Sequence, residues 1–351
     1  MAKKPIRIGI IGAGGIFRTR HFPGLAKIKD AEVVALCNRS IASGRRISEE
    51  FKLTPDLMTD PHALIARKDV DAVMIGTWPY KHCEFVLESL DAGKHTWVQA
   101  RMAMNLREAR LMYARGEESG LATQICQPPH AMQGDYYVRH LISSGYVGEV
   151  RNIVVRSMTP TQNNPKTPLH WRQIGRYSGL NTMSVGMLVE FVHRWCGYTS
   201  SVTAQAETFV KLRPAGRGKV GEVDRPDTVN ILATMEIGAT AVYMFSGNAH
   251  HAPSERIEIY GTAGTLVYET SPNLARQRVL GAKGSAKALK PLAIPKKYAR
   301  EWTVEADFIN AIKTGENAES TFYQGVKYME FTEAVFKSVE LGQTVNLPVI
   351  D

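Results

Sequence analysis

The chain has 351 residues, 44% of them hydrophobic, with 43 basic and 34 acidic side chains and a formal net charge of +9. That length suits two domains better than one, and no apolar run of about 20 residues is present to cross a bilayer. The opening segment MAKKPIRIGIIGAGG lacks a signal-cleavage pattern, and Cys37, Cys83, Cys126 and Cys196 lie far apart without metal-ligand spacing. A cytoplasmic protein with reduced thiols and no metal site is therefore expected, with no membrane partner. Much of the basic excess falls in residues 276–300, RQRVLGAKGSAKALKPLAIPKKYAR, which read as a solvated loop. An anionic substrate is the alternative use for that charge; no nucleic-acid recognition motif accompanies it.

Residues 6–17, IRIGIIGAGGIF, are an apolar run ending in glycines. A helix-like segment and a second apolar run, AEVVALCNRS at 31–40, complete a βαβ unit with its glycine-rich turn at the end of the first strand. Gly12 permits the tight turn and Gly14 lets backbone N–H groups approach a pyrophosphate, with Gly15 and Ile16 leading into the helix N-terminus. Phe17, counted with this cofactor loop, stands where the fingerprint has Gly or Ala, so helix–strand packing or cofactor depth should change. The second strand ends in Cys37-Asn38-Arg39-Ser40. A carboxylate there selects NAD through the ribose hydroxyls. Asn38 removes the charge that repels a 2′-phosphate, and Arg39 and Ser40 suit one. The expected cofactor is NAD(P), leaning to NADP.

DAVMIGT at 71–77 and LATQICQ at 121–127 read as further buried strands, and QPPH then punctuates the chain. The expected division is a dinucleotide-binding domain at 1–126 and a second domain at 127–351. In the second, VRNIVVRSMT alternates as a strand. DTVNILATMEIGATAVYMFSG and ERIEIYGTAGTLVYE read as hairpins turning near Gly238 and through Gly261 and Gly264. Val304, Phe308 and Ile312 share a helical face, and a last helix at 322–341 stops at Gly342. The fold class is α/β: an N-terminal Rossmann domain plus a C-terminal α/β domain with a large, open, mostly antiparallel sheet. An open sheet needs a cover, and Leu232, Tyr243 and Phe245 read as its exposed apolar residues, so a homo-oligomer through that sheet is expected.

Several segments, in the same order, resemble the glucose–fructose oxidoreductase / inositol dehydrogenase (Gfo/Idh/MocA) family. GIIGAGGI is similar to its nucleotide loop. IGTWPYKHCEFVLESLDAGKH is similar to its T-P-x-x-x-H segment, with Trp78 replacing the proline. LISSGYVGEV, IEIYGTAGTL and FKSVELGQTVNLP resemble the start, late hairpin and tail of its second domain. The resemblance implies that Thr77, Trp78, His82, Gln99 and Ala100 approach the cofactor.

Two family motifs are altered. The Glu-Lys-Pro segment, whose lysine acts on the substrate hydroxyl, reads Gln99, Ala100 and Arg101. Alanine cannot transfer a proton, and without proline the cis peptide sometimes used there is not expected. Arg101 does not deprotonate; it is expected to anchor an anionic or polyhydroxyl group or to pair with a carboxylate. The Asp-x-Gly-x-His motif reads SVGML, with Ser184 and Leu188 at its ionisable positions. On a helix Met187, Leu188 and Phe191 share the Ser184 face, whereas Glu190 and His193 lie about 120° and 180° away.

The acid/base must then come from elsewhere. PLHWRQIGRYSGLN at 168–181 precedes that helix and offers His170 and Tyr177 as catalytic groups and Trp171 and Arg172 as substrate-binding ones; Arg101 and Ser184 join the substrate-binding set from their own segments, and His130 is a third catalytic candidate. The leading expectation is an NAD(P)-dependent oxidoreductase acting on a hydroxyl of a sugar, glycoside or cyclitol, with a non-standard acid/base and a carbohydrate-like substrate, neutral or anionic. Two alternatives stand beside it: a redox-assisted glycosidase or lyase, and a catalytically inactive dinucleotide-binding sensor or regulatory protein.

Overall fold

A computed structural model describes residues 4–126, 132–253, 255–271 and 276–350. The chain forms two compact units, residues 1–127 with 302–326, and 128–301 with 327–351. The boundary expected at 126/127 marks only the first crossing. The chain returns because the Val304–Thr314 helix carries Val304, Phe308 and Ile309 into the first unit's core beside Phe17 and Trp97, with Ile312 at its margin.

The first unit is built on strands β1 (Ile6–Ile11), β2 (Ala31–Cys37), β3 (Asp56–Met58), β4 (Ala72–Ile75), β5 (His95–Gln99) and β6 (Thr123–Cys126). All pairings are parallel, in the order β3-β2-β1-β4-β5-β6. β4 is buried throughout, as a strand covered on both faces must be. The strand order reverses between β1 and β4, which places the glycine loop at the ligand-binding edge.

The segment after that loop departs from a regular helix: a π-type turn at Phe17–His21 leads into a short helix, Phe22–Leu25, containing Pro23. Phe17 is fully buried, edge-on to Phe22 at 5.7 Å and Trp97 at 5.8 Å. Space for it is made from the strand side, since a Cβ on Gly76 would collide with its ring. The Phe17 side chain is a wedge in the core, the packing change expected of a large residue where helix and strand approach.

The second unit carries β7 (Val150–Met158), β8 (Thr199–Glu207), the small pair β9 (Leu212–Pro214) and β10 (Val220–Glu222), β11 (Thr228–Met235), β12 (Thr240–Ser246), β13 (Glu255–Gly261), β14 (Gly264–Thr270), β15 (Gln277–Lys283), β16 (Lys290–Leu292) and β17 (Val345–Asn346). Nine form one sheet, β16-β15-β14-β13-β7-β12-β11-β8-β17, antiparallel except between β7 and β12. Both hairpins turn where expected, with Gly238 at φ +83°.

Two expectations change here. Tyr243 and Phe245 are 0% and 1% exposed, on the helix-packed face, with Tyr243 against Phe331. Strand parity explains it: Leu232, 61% exposed, lies in register with Val242, one residue out of phase with Tyr243, and Val242 with Val154. The outward row is therefore Leu232, Val242 and Val154. The basic segment 276–300 supplies strands β15 and β16 instead of a loop, because Val279 alternates inward while Arg278 faces out to Glu269. Charge on such an edge discourages further strand pairing. Its last arginine, Arg300, is buried on Asp135 at 2.6 Å.

Candidate active site

At the carboxyl edge of the first unit a cavity of 530 Å³ is lined by Gly12, Gly14, Gly15, Asn38, Arg39, Thr77 and Trp78. Gly12 sits at φ +81°, and a Cβ there would lie 2.9 Å from the Thr77 backbone nitrogen. Gly14 and Gly15 meet nothing within 4 Å, which leaves the approach to their backbone open. Asn38 accepts the Ala13 N–H at 2.9 Å and so fixes the loop from the second strand. Arg18, Ser43, Arg46 and Lys81 also line the cavity. Loop, helix entrance and basic rim fit a phosphorylated dinucleotide.

Two loop expectations are adjusted. Ser40 is the N-cap of the Ile41–Phe51 helix, accepting the Ser43 N–H at 3.3 Å, and it is Ser43 and Arg46, further along that helix, that line the cavity. The Ile16 side chain is 36% exposed and outside the lining.

His82 is fully buried, with Nε2 2.9 Å from the Thr77 carbonyl and Nδ1 3.0 and 3.1 Å from those of Arg101 and Met102. Burial holds its pKa below the usual histidine value, with the carbonyls pulling the other way. Its placement is that of a clamp between the ends of β4 and β5. The expected loss of a cis peptide is corrected: Ala100–Arg101 is cis without proline, in a segment where His82 meets the carbonyls of Arg101 and Met102. Gln99, Ala100 and Arg101 are half-buried at the end of β5 and outside the dinucleotide cavity's lining.

The second unit contains a cavity of 230 Å³ under the Val185–Cys196 helix, lined by Ser184, Met187, Leu188 and Phe191 and by Glu255, Tyr268 and Thr270 of the sheet. Glu190 and His193 are buried outside its lining. Burial raises the Glu190 pKa to about 8, and burial followed by Lys327 lowers His193 to about 3. Glu255 is the carboxylate of the cavity, a residue that sequence reasoning passes over. Ser184 Oγ donates to Ser157 Oγ at 2.9 Å, and Ser157 Oγ donates to Glu255. Burial pushes the Glu255 carboxyl above the usual range, opposed by the Ser157 hydroxyl. A carboxylate so placed is a better proton acceptor near neutral pH than an ordinary glutamate. The signal lies in the ERIEIYG alternation: Glu255 shares its face with the buried Ile257 and Ile259, an acid among core positions.

The remaining candidates of the second unit neighbour Ser184 along the chain but stay outside this cavity's lining. His170 caps the short Trp171–Gln173 turn, its Nδ1 accepting the Arg172 N–H at 3.3 Å. His170 and Arg172 line a separate cavity of 320 Å³. Trp171 stacks under the Arg172 guanidinium at 4.3 Å, and Tyr177 under Arg176 at 4.7 Å. Tyr177 lines neither cavity. His130 lies outside the described residues. Among the described residues no cluster of metal-ligating side chains occurs, and no helix is long and apolar enough to cross a membrane.

A parallel β3-β2-β1-β4-β5-β6 sheet with a glycine-loop cavity, followed by a large mixed sheet, defines an NAD-binding Rossmann oxidoreductase fold. Residues 6–126 match the model of the oxidoreductase family with NAD-binding Rossmann fold, and residues 136–267 match the GFO/IDH/MocA C-terminal domain. The chain belongs to the Gfo/Idh/MocA family. It is 26% identical over 341 residues to the dTDP-3,4-didehydro-2,6-dideoxy-alpha-D-glucose 3-reductase of Actinomadura kijaniata, covering 89% of this chain and 96% of that one. It is 24% identical to the myo-inositol 2-dehydrogenase of Thermotoga maritima, covering 97% and 98%. In fold it is similar to levoglucosan dehydrogenase in complex with NADH, with a TM-score of 0.88, 20% identity and coverage of 99% and 100%.

Proposed function

We propose that this protein is an NAD(P)-dependent oxidoreductase that converts a secondary hydroxyl of a sugar, glycoside or cyclitol to a carbonyl, with Glu255 as the proton acceptor in place of the family's lysine. The observation that carries this reading is the hydrogen-bonded file Ser184–Ser157–Glu255 opening on a cavity in a chain that also has a dinucleotide cradle. The relatives named above are a reductase of a sugar derivative, a cyclitol dehydrogenase and an anhydrosugar dehydrogenase, which supports the substrate class. A dinucleotide held by the loop of Gly12, Gly14 and Gly15 with Asn38 and Thr77 would supply the hydride acceptor for the carbinol carbon. Glu255 takes the hydroxyl proton, directly or through the two serine hydroxyls, and the apolar Met187, Leu188 and Phe191 exclude water from the exchange. Atoms and charge balance: the hydride leaves to the cofactor, the proton to the carboxylate, and a C=O bond forms.

Cofactor choice falls to NADP on this reading, since Arg39, Ser43 and Arg46 line the cradle and, among the described residues, no carboxylate does. The free cysteines support a cytoplasmic setting, and the outward row of Leu232, Val242 and Val154 supports a homo-oligomer through the sheet. The test is absorbance at 340 nm with NAD and NADP over a panel of sugars, glycosides and cyclitols. Net reduction of free cofactor upholds the reading. Product without net reduction favours the redox-assisted glycosidase or lyase, and cofactor binding without any turnover favours the sensor.

A further inference from the structure

The second unit's other cavity, of 320 Å³, has an unusual charge balance. Its lining includes Arg172, Arg213, Arg225 and His170 and, among the described residues, no aspartate or glutamate. Arg213 is 1% exposed. Its guanidinium donates to the carbonyls of Asn164 at 2.8 Å, of Thr167 at 3.4 Å and of Gln162, while its buried Nε has no partner among the described residues. All three of those acceptors are neutral carbonyls, which leave its charge uncancelled. Arg172 lies over the Trp171 ring, which positions the guanidinium without cancelling its charge. Arg225 is held by the Gly179 carbonyl at 3.0 Å and the Asp224 carbonyl at 2.8 Å, with the Asp224 carboxylate 3.4 Å away. That carboxylate is already engaged by the Gly175 N–H at 2.6 Å.

His170 adds a donor. Because Nδ1 accepts the Arg172 N–H, the neutral ring carries its proton on Nε2. Burial, and then the Arg172 charge, keep its pKa below the usual histidine value, so it enters as a neutral hydrogen-bond donor. An enclosed guanidinium without a counter-charge is costly to maintain unless an anion completes it. Planar guanidinium groups match carboxylate, phosphate and sulfate oxygens in paired hydrogen bonds.

This cavity also shares a turn with the Glu255 site. Thr182 and Met183 line the basic cavity and Ser184 lines the other. Met183 takes φ +41°, a left-handed conformation uncommon for a residue with a side chain. One ligand able to contact both sides of this turn would carry an anionic group on a polyhydroxyl body.

We propose that the basic cavity is an anion subsite, and that the substrate is an acidic carbohydrate whose carboxylate, phosphate or sulfate ester is held by Arg172, Arg225 and Arg213 while its hydroxyl meets Glu255. The substrate half of this inference rests on the oxidoreductase reading; the anion subsite does not.

The intact protein, its dinucleotide cavity first saturated with NADP(H) so that phosphate cannot enter there, is titrated calorimetrically with inorganic phosphate, D-glucuronate, glucose 6-phosphate and glucose. The anionic probes are expected to bind about tenfold or more tighter than glucose, as one or more charge-assisted contacts imply. Arg172→Gln and Arg225→Gln should remove that preference for the anionic probes over glucose. Arg213→Gln is the most direct variant but removes three carbonyl contacts, so the exposed Arg172 provides the one that folds. Phosphate and glucose 6-phosphate binding without glucuronate assigns a phosphate-type ligand; the reverse assigns a carboxylate. No preference for anions, or a preference that survives both variants, overturns the subsite. An anion preference lost in both variants, with no carbohydrate oxidised, upholds the subsite and overturns the oxidoreductase reading alone.

Discussion

The dinucleotide cradle and the Glu255 cavity store their chemistry differently. In the cradle it lies in the backbone of one short segment: Gly12 turns left-handed, open space adjoins Gly14 and Gly15 where a side chain would stand, and Asn38 ties the loop down. In the Glu255 cavity it lies in side chains from separate elements: Ser157 on β7, Glu255 on β13 and Ser184 at the mouth of a helix. A local motif survives as long as its few residues do. A constellation spread over separate elements can exchange its side chains one by one without altering the fold. The departure from the family's pattern falls in both units, at Gln99, Ala100 and Arg101 at the end of β5 in the first and at Ser184 and Leu188 in the second, while the glycine loop keeps its backbone pattern.

The largest expected effect tests that departure. Glu255→Gln keeps shape and removes the acceptor, so kcat should fall by about 10²–10⁴-fold, the worth of a general base. Cofactor affinity should be unchanged. Oxidation by the parent should rise with pH through a pKa above the ordinary glutamate value, because burial raises that carboxyl; the variant should lose this limb. Ala100→Lys should not restore activity to Glu255→Gln, since the family's Asp and His positions are Ser184 and Leu188. The comparison breaks if His170→Ala or Tyr177→Phe produces the large loss and Glu255→Gln keeps near-parental turnover.

Next come the two glycines of the cradle. Gly12→Val forces a β-branched residue into a left-handed conformation, a cost of about 1–3 kcal/mol before its Cβ meets the Thr77 backbone. A lowered melting temperature in the absence of cofactor is expected. Gly14→Val enters open space and should melt as the parent does, while losing NAD(P)H fluorescence enhancement on titration. If Gly14→Val binds both cofactors as the parent does, the cradle has been assigned to the wrong ligand.

What the amino-acid sequence reveals follows the same division. The glycine loop, the strand runs and both hairpins are legible because their signals are local: apolar runs, turn residues and period-two alternation. Three features are not. Phe17 is core because Gly76, distant in sequence, vacates the space for its ring. Tyr243 and Phe245 take the buried face because strand parity is fixed by pairing, and alternation alone leaves open which parity faces the helices. Glu255 escapes a reading that follows the family's motif positions and the loop beside them. Its carboxylate is supplied by a strand far beyond Ser184 in the chain, and only the sheet register brings it next to Ser157.

A smaller effect sharpens the cradle's side of the comparison. Arg39 and Arg46 line the cavity where an NAD-selective site carries an acid. A hydrogen bond to a charged group contributes about 1.5–3 kcal/mol. Arg46→Ala should thus weaken NADP(H) by about ten- to hundredfold and leave NAD(H) nearly unaffected. Equal weakening of both would place Arg46 on the shared pyrophosphate and remove the basis for NADP preference.

The smallest effect is on stability, and it isolates Glu255 without any substrate. Its folded carboxyl has a raised pKa, principally from burial, so the folded state holds that proton more tightly than the unfolded chain does. By linkage, stability must fall as pH rises wherever the folded state binds more protons. The contribution is fully present below the unfolded glutamate pKa of about 4.3 and is lost as pH climbs through the raised folded value. Other groups titrate too: Glu190, raised to about 8, gives a slope of the same sign from the unfolded glutamate value up to about pH 8. The informative quantity is therefore the difference between the parent and Glu255→Gln, measured by urea unfolding from about pH 4 to pH 8, a window that brackets the unfolded value and the rise above it. The parent should lose stability relative to the variant as pH rises through that interval, because the amide has no proton to release. A difference that is flat with pH would mean that Glu255 is hydrated and ordinary, and the acceptor role assigned to it would lose its physical basis.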